Sequence, residues 1–167
     1  MMEITKRGTV IIVEGTQPKV GEKAPEFKLK NLNDQVISLS DYQGEVALIS
    51  VIPNIDTSVC AIQTKQFNQI AGKLEGVQLM TISNNTKEEQ ADWCAGNGVE
   101  MEMLHDTDLT FAKSYGLYMP ELDLLARSVF VVNREGVLVY EEIVSEMSHE
   151  PNYEKAIEAA KEAVAAK

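Results

Sequence analysis

Hydrophobic and polar positions switch between two periods along this chain. Thr9 to Val13 is a short β-branched run, and Gly15, Pro18 and Gly21 follow at turn-like spacing, so residues 4–20 read as an N-terminal β-hairpin. An extended stretch begins at Ala24-Pro25-Glu26-Phe27-Lys28-Leu29, Val36 to Leu39 is another short strand, and Asp41-Tyr42-Gln43-Gly44 is a turn. Val46 to Ile52 is nearly all apolar, the pattern of a strand covered on both faces, and Pro53 ends it. From Val59 the period becomes helical. Val59, Ile62, Phe67, Ile70 and Leu74 fall on one face of a helix over 58–74, and Gly76 breaks it. Val77 to Ile82 reads as the next strand, residues 87–96 as a short polar helix closed by Gly96 and Gly98, and Leu109 to Tyr115 as a helical turn or two. Ser128 to Val132 and Val137 to Ile143 pair across the turn Asn133-Arg134-Glu135-Gly136, and an alanine-rich helix runs from Asn152 to Ala166 after Pro151. Strands and helices in this order predict a three-layer α/β/α arrangement around a mixed central sheet, in one domain over 1–167.

Composition narrows the function classes. Fifteen basic against 26 acidic residues leave a net charge of -11, which argues against nucleic acid or an anionic membrane as partner. Met1 to Arg7 lacks the apolar run of a signal peptide, and no stretch approaches the ~18 apolar residues of a membrane span, so the chain reads as cytoplasmic. His105 and His149 belong to no ligand-spaced cluster and read as ordinary histidines.

The chemistry is carried by Pro53-Asn54-Ile55-Asp56-Thr57-Ser58-Val59-Cys60. A buried strand ends, a loop turns, and a helix starts with Thr57 as N-cap, which places Cys60 in the first turn. Backbone N–H groups there lack helical partners, and with the helix dipole they favour a thiolate, the nucleophilic form. The Thr57 hydroxyl is on the same turn, within reach of the sulfur or an oxygen beside it. Arg127 opens the otherwise apolar strand Ser128 to Val132, so its guanidinium needs acceptors, for which a thiolate or peroxide oxygens are suited. The alternative is an arginine that snorkels to water.

Cys94 lies near the end of the helix 87–96, whereas Cys60 lies at the start of the helix 58–74. Parallel crossover helices put those ends roughly 10 Å apart along the axis, beyond the ~7 Å Cα separation of a disulfide. A bond between them therefore requires one or both helix ends to melt. Closing a loop of about 34 residues is worth roughly 4 kcal/mol by chain entropy, less whatever the melting costs. A thioredoxin-type oxidoreductase would use C-x-x-C, which is absent, and a zinc site lacks its spacing. A non-catalytic redox sensor shares every step except turnover.

Pro53, Thr57 and Cys60 together form P-x-x-x-T-x-x-C, and by that motif the chain resembles the peroxiredoxins, more narrowly their atypical two-cysteine thiol peroxidase subgroup. The likeness extends to the N-terminal hairpin, Gly21 to Phe27, Leu124 to Val132, and Pro151 with the helix after it. The resemblance implies a thioredoxin-like fold, Cys60 as peroxidatic cysteine, and Cys94 as resolving cysteine. It also implies that Pro53 shields the sulfur while Thr57 and Arg127 bind the peroxide oxygens. A homodimer recycled by thioredoxin, with no metal, haem or flavin, is expected on the same ground. One departure is Ser83-Asn84-Asn85-Thr86, where relatives commonly show Ser-x-Asp-Leu-Pro-Phe. Met80, Met101, Met103 and Met119 are available either as soft apolar surface for an alkyl hydroperoxide or as ordinary core filling.

Overall fold

A computed structural model describes residues 2–55, 57–71, 74–98 and 102–165. Its strands are β1 Met2–Lys6, β2 Thr9–Val13, β3 Lys28–Asn31, β4 Val36–Ser38, β5 Val46–Val51, β6 Val77–Ser83, β7 Met103–His105, β8 Tyr118–Met119, β9 Leu124–Leu125, β10 Ser128–Val132 and β11 Leu138–Ile143. The helices are α1 Ser58–Ala71, α2 Lys87–Asn97, α3 Thr110–Ser114 and α4 Tyr153–Ala165. Residues 72–73, inside the expected 58–74 helix, and Ala166, at the expected end of the last one, lie outside the described residues.

Seven strands form the central sheet in the order β11-β10-β5-β6-β7-β3-β4. β5, β6 and β7 run parallel and every other neighbouring pair is antiparallel, so the sheet is mixed as expected. All six residues of β5 are buried because both faces are covered. Val46 and Leu48 point to a cluster with Phe67 of α1 and Ala156, Ile157 and Ala160 of α4. Ala47, Ile49 and Val51 point the other way, to a larger cluster with Phe111 of α3, Phe130, and Ile4, Ile11 and Val13 of the N-terminal strands. The period-2 alternation of one strand thus divides the protein into its two helical layers. α2 lies on the α1 side, since its Trp93 and Cys94 share a third cluster with Cys60 and with Met103 of β7.

The hairpin starts earlier and is tighter than the turn residues suggest. β1 and β2 pair from Met2↔Val13 to Lys6↔Thr9 around Arg7 and Gly8, both at positive φ (50° and 86°), as a two-residue hairpin turn requires. Gly15, Pro18 and Gly21 belong instead to the connection that follows, which is why residues 4–20 overstated its length. β7 and the small β8–β9 hairpin were not anticipated either. They are two or three residues long, too short to show a period.

That connection crosses another backbone at close quarters. A Cβ on Gly116 would sit 2.6 Å from the Thr16 carbonyl carbon, and its φ of +64° lies in the left-handed region that favours glycine. Gln17 Nε2 donates to the Gly116 carbonyl at 2.8 Å and Glu14 N to the Tyr118 carbonyl at 2.8 Å, so the crossing fixes the hairpin to the α3–β8 corner. Gly116→Ala is expected to destabilise the protein by roughly 2–4 kcal/mol, combining backbone strain with steric overlap. Urea unfolding checks this, and a loss below about 0.5 kcal/mol would mean that the two segments can separate freely.

Candidate active site

The site is built where the carboxyl end of β5 meets the start of α1. Antiparallel pairing sets Ser128 of β10 opposite Val51 of β5, so Arg127, one residue earlier, arrives beside the turn at Pro53. Arg127 is 2% exposed, and a buried guanidinium must have its donors satisfied. Its Nε donates to the Met147 carbonyl at 3.1 Å, its Nη1 to Gln63 Oε1 at 2.9 Å, and its Nη2 to the Cys60 sulfur at 3.4 Å. The arginine does not snorkel to water. A permanent positive charge is held against the thiol.

Cys60 itself is fully buried. Ala61 N donates to the Thr57 carbonyl at 2.9 Å, the first bond of α1, so Cys60 occupies the first turn. The Thr57 side chain is exposed, and its hydroxyl donates to the Asn54 carbonyl at 2.8 Å rather than to the sulfur. Thr57 N donates to that same carbonyl at 3.1 Å, so the threonine closes the loop on itself before the helix begins. Pro53 is buried at the end of β5. Asp56 lies outside the described residues.

The buried stripe of α1 is not the apolar face that the periodicity suggested. Cys60, Gln63, Thr64 and Phe67 are buried, at positions i, i+3, i+4 and i+7. Ile62 and Ile70 are 43% and 38% exposed. The helix turns a partly polar stripe inward because Arg127 is on that side. Gln63 supplies the acceptor for the guanidinium and passes its own donors to Ser50 Oγ at 2.8 Å and the Val51 carbonyl. Sequence reasoning missed Gln63. The available signal was its place three residues after Cys60, on the cysteine's side of the helix.

Cys94 is buried beside Trp93, and burial pushes its thiol pKa up. α2 ends at Gly98, whose left-handed backbone lets its N–H return to the Cys94 carbonyl. Both cysteines are free thiols, and both belong to one buried cluster with Ile52, Ile55, Trp93 and Met103. Of the methionines, Met103 is in this cluster, whereas Met80 and Met119 fill the main core on the other side of the sheet. Met101 lies outside the described residues.

A buried arginine aimed at a first-turn cysteine, with a second thiol in the same cluster, is an arrangement for cysteine redox chemistry. Residues 20–141 match the model of the AhpC/TSA family. A thiol peroxidase of Listeria innocua is 47% identical over 165 residues, covering 98% of this chain and all of that one. A thiol peroxidase of Bacillus subtilis is 48% identical over 163 residues, covering 96% and 98%. Among solved structures, a peroxiredoxin-like protein from Aquifex aeolicus superposes with a TM-score of 0.91 at 29% identity, over 96% of each chain. A thiol peroxidase from Chromobacterium violaceum, 15% identical, shows the same fold with a TM-score of 0.88 over 97% of each chain. The fold is thioredoxin-like. The chain belongs to the AhpC/TSA family of peroxiredoxins. It is an enzyme of the peroxiredoxin type, which reduces peroxides by cysteine redox chemistry.

Gln63→Leu removes the acceptor of Arg127 Nη1 and leaves the guanidinium to reorient. The peroxide rate is expected to fall about 10- to 100-fold, as misplaced catalytic groups cost, with stability down by roughly 1–3 kcal/mol. Gln63→Glu keeps an acceptor and should recover most of the loss. Stopped-flow oxidation of the reduced protein reads this, and equal rates in all three proteins would remove Gln63 from the machinery.

Proposed function

We propose that this enzyme is a thiol-dependent peroxidase with a two-cysteine cycle, reducing hydrogen peroxide and organic hydroperoxides to water or alcohols. The observation that carries the reading is the 3.4 Å contact from Arg127 Nη2 to the Cys60 sulfur. The Cys60 thiolate attacks one peroxide oxygen in line with the O–O bond. That bond breaks, two electrons pass from sulfur to the peroxide, and the leaving oxygen takes a proton to become water or an alcohol. Arg127 stabilises the charge that develops on the oxygens, in a site where the sulfur and the arginine are both buried. Pro53 walls the sulfur from solvent. Thr57 holds the loop through Asn54 and, on its exposed side, meets the incoming peroxide.

Cys60 is left as a sulfenic acid. The Cys94 sulfur attacks it, the S–O bond breaks, and hydroxide leaves with a proton as water, closing the Cys60–Cys94 disulfide. An external dithiol restores both thiols by exchange and is itself oxidised to a disulfide. Thioredoxin is the reductant that the resemblance implies. The two sulfurs carry all the electrons, so the cycle calls on no metal or organic cofactor. One seven-stranded sheet covered on both faces supports a single domain over the chain. Among the described residues no helix is long and apolar enough to cross a membrane. The net charge of -11 disfavours nucleic acid and anionic lipid, and a cytoplasmic homodimer completes the reading.

The test is NADPH-coupled turnover with thioredoxin and thioredoxin reductase for wild type, Cys60→Ser and Cys94→Ser. Wild type should turn over and Cys60→Ser should be inactive. Cys94→Ser should react once and accumulate sulfenic acid or its overoxidised products. Equal turnover by Cys94→Ser would reduce the cycle to one cysteine.

The pH dependence of disulfide closure follows from Cys94. Its raised pKa keeps it a thiol at neutral pH, so the reactive thiolate fraction grows about tenfold per pH unit below that pKa. Closure measured after a peroxide pulse should accelerate from pH 6 to pH 8. A flat profile would mean that Cys94 deprotonation does not limit the step. Stability has the opposite sign. A thiol whose folded pKa is raised contributes its stability fully below the ordinary cysteine pKa and loses it as pH rises from there through the raised value, so folding stability is expected to fall at alkaline pH.

A further inference from the structure

The segment Ser83-Asn84-Asn85-Thr86 joins β6 to α2, and one of its side chains reaches across to the cysteine loop of α1. Asn85 is 7% exposed. Its Oδ1 accepts from Ile55 N at 2.8 Å, in a buried bond, and its Nδ2 donates to Asn54 Oδ1 at 3.1 Å. On its own side, Asn85 N donates to Ser83 Oγ at 3.3 Å, and that oxygen also accepts from Gln90 Nε2 of α2 at 3.0 Å. On the far side, the Asn54 carbonyl holds both the N–H and the hydroxyl of Thr57. A continuous run of hydrogen bonds therefore leads from the helix that carries Cys94, through one buried amide, to the N-cap of the helix that carries Cys60.

Asn85 has both the chemistry and the placement for this. One side chain must offer an acceptor to a backbone N–H and a donor to a second amide, and the carboxamide of Asn85 carries both on separate atoms without a charge. Asn84 points elsewhere and donates to the Asp123 carbonyl at 2.8 Å, tying the loop to the β8–β9 hairpin. Ile55, whose N–H is held, is fully buried in the cluster that contains both cysteines. Moving Asn54 and Ile55 away from Asn85 would break both of these bonds, and the donor and acceptor of each would have to find new partners.

We propose that Asn85 is a positioning residue, a latch that holds the Cys60 loop in its peroxide-reactive form and sets how fast that form opens for disulfide closure. The proposal rests on the two-cysteine cycle for its kinetic consequence, but not for the latch itself. While latched, Cys60 stays against Arg127 and attacks peroxide. Unlatched, the first turn of α1 frays and the sulfenic sulfur can meet Cys94. The latch thus divides the sulfenic acid between two fates. One is closure, with loss of water. The other is a second peroxide, which transfers an oxygen to the sulfur and leaves a sulfinic acid and water or an alcohol.

The experiment compares wild type, Asn85→Ala, Asn85→Asp and Asn84→Ala. Closure after a hydrogen peroxide pulse is followed by the fluorescence of Trp93, the only tryptophan, which adjoins Cys94. Sulfinic acid at high peroxide is counted by mass. Asn85→Ala should close about tenfold faster, react with peroxide several-fold more slowly, and accumulate less sulfinic acid. Asn85→Asp keeps an acceptor for Ile55 N and loses the donor to Asn54, so it should fall between. Asn84→Ala should match wild type. If Asn85→Ala slows both steps together, or changes neither, the latch is overturned and Asn85 is a packing residue. Amide exchange in the fully reduced protein separates the latch from the cycle. Exchange at Ile55 and Thr57 should rise at least several-fold in Asn85→Ala and stay low in Asn84→Ala, and unchanged exchange overturns the latch. Should wild type turn over without ever losing the 2 Da of a disulfide, the two-cysteine cycle falls and the kinetic role of the latch falls with it, whereas increased exchange would still support the latch as structure.

Discussion

A guanidinium with 2% exposure is the constraint around which this protein is arranged. Burying a charge is costly unless every donor finds an acceptor, and Arg127 is provided for from three directions. The Met147 carbonyl takes Nε, Gln63 of α1 takes Nη1, and the Cys60 sulfur takes Nη2. The third acceptor is the reacting atom. Satisfying the arginine and placing charge on the nucleophile are therefore one requirement, and the fold meets it with parts of the chain 20 to 67 residues away from Arg127.

The same constraint explains features that look incidental taken singly. α1 buries Gln63 while it exposes Ile62 and Ile70, because Gln63 supplies an acceptor to the guanidinium, and the buried Thr64 hydroxyl is met within the helix by the Cys60 carbonyl. The N-terminal hairpin gains a purpose as well. Thr5 N donates to the Ser145 carbonyl, Met147 N donates to the Thr5 carbonyl, and the Glu146 carboxylate accepts from Thr5 Oγ1, Gly8 N and Ser148 N. β1 thus pins the short segment whose Met147 carbonyl orients Arg127 Nε. The hairpin, itself held by the backbone crossing at Gly116, acts as a brace behind the arginine.

How much of this could be read from the chain depended on whether the information was local. β5 was legible because burial on both faces leaves a continuous apolar run, and the first-turn position of Cys60 because capping is set by adjacent residues. Arg127 was legible as a charge opening an apolar strand and Cys94 as the second cysteine, whereas the role of Cys94 came from the family resemblance. Gln63 was not legible, because a buried glutamine has no periodic signature and its acceptor role depends on a residue 64 positions away. Asn85 was noticed only as a departure from the usual loop, since its bonds to Asn54 and Ile55 span about 30 residues. The hairpin was placed too late because Gly15, Pro18 and Gly21 outweighed a single Gly8, although the positive φ at Arg7 and Gly8 makes the turn.

The two thiols share a buried cluster with Ile55 and Trp93, and both are free in this state. Such packing cannot serve both halves of a two-cysteine cycle equally. Contacts that hold Cys60 against Arg127 keep the sulfur aligned for peroxide, and every one of them resists the movement that a disulfide requires. Raising the stability of the cluster would favour the first step and delay the second, and loosening it would do the reverse. α2 carries signs of an element placed near that balance. Its Thr86 capping box with Glu89 secures the start, where the loop to Cys60 is attached. Its end carries a glycine cap one turn beyond Cys94, and Asn97 Nδ2 donates to the Trp93 carbonyl at 2.8 Å. The bonds at the exit are all local to α2, whereas those at the entry reach the Cys60 loop, so the last turn can be released without disturbing the loop that positions the nucleophile. In physical terms, the two ends of α2 bear on closure separately: the exit governs the freedom of Cys94, and the entry, through Asn85, governs that of the Cys60 loop.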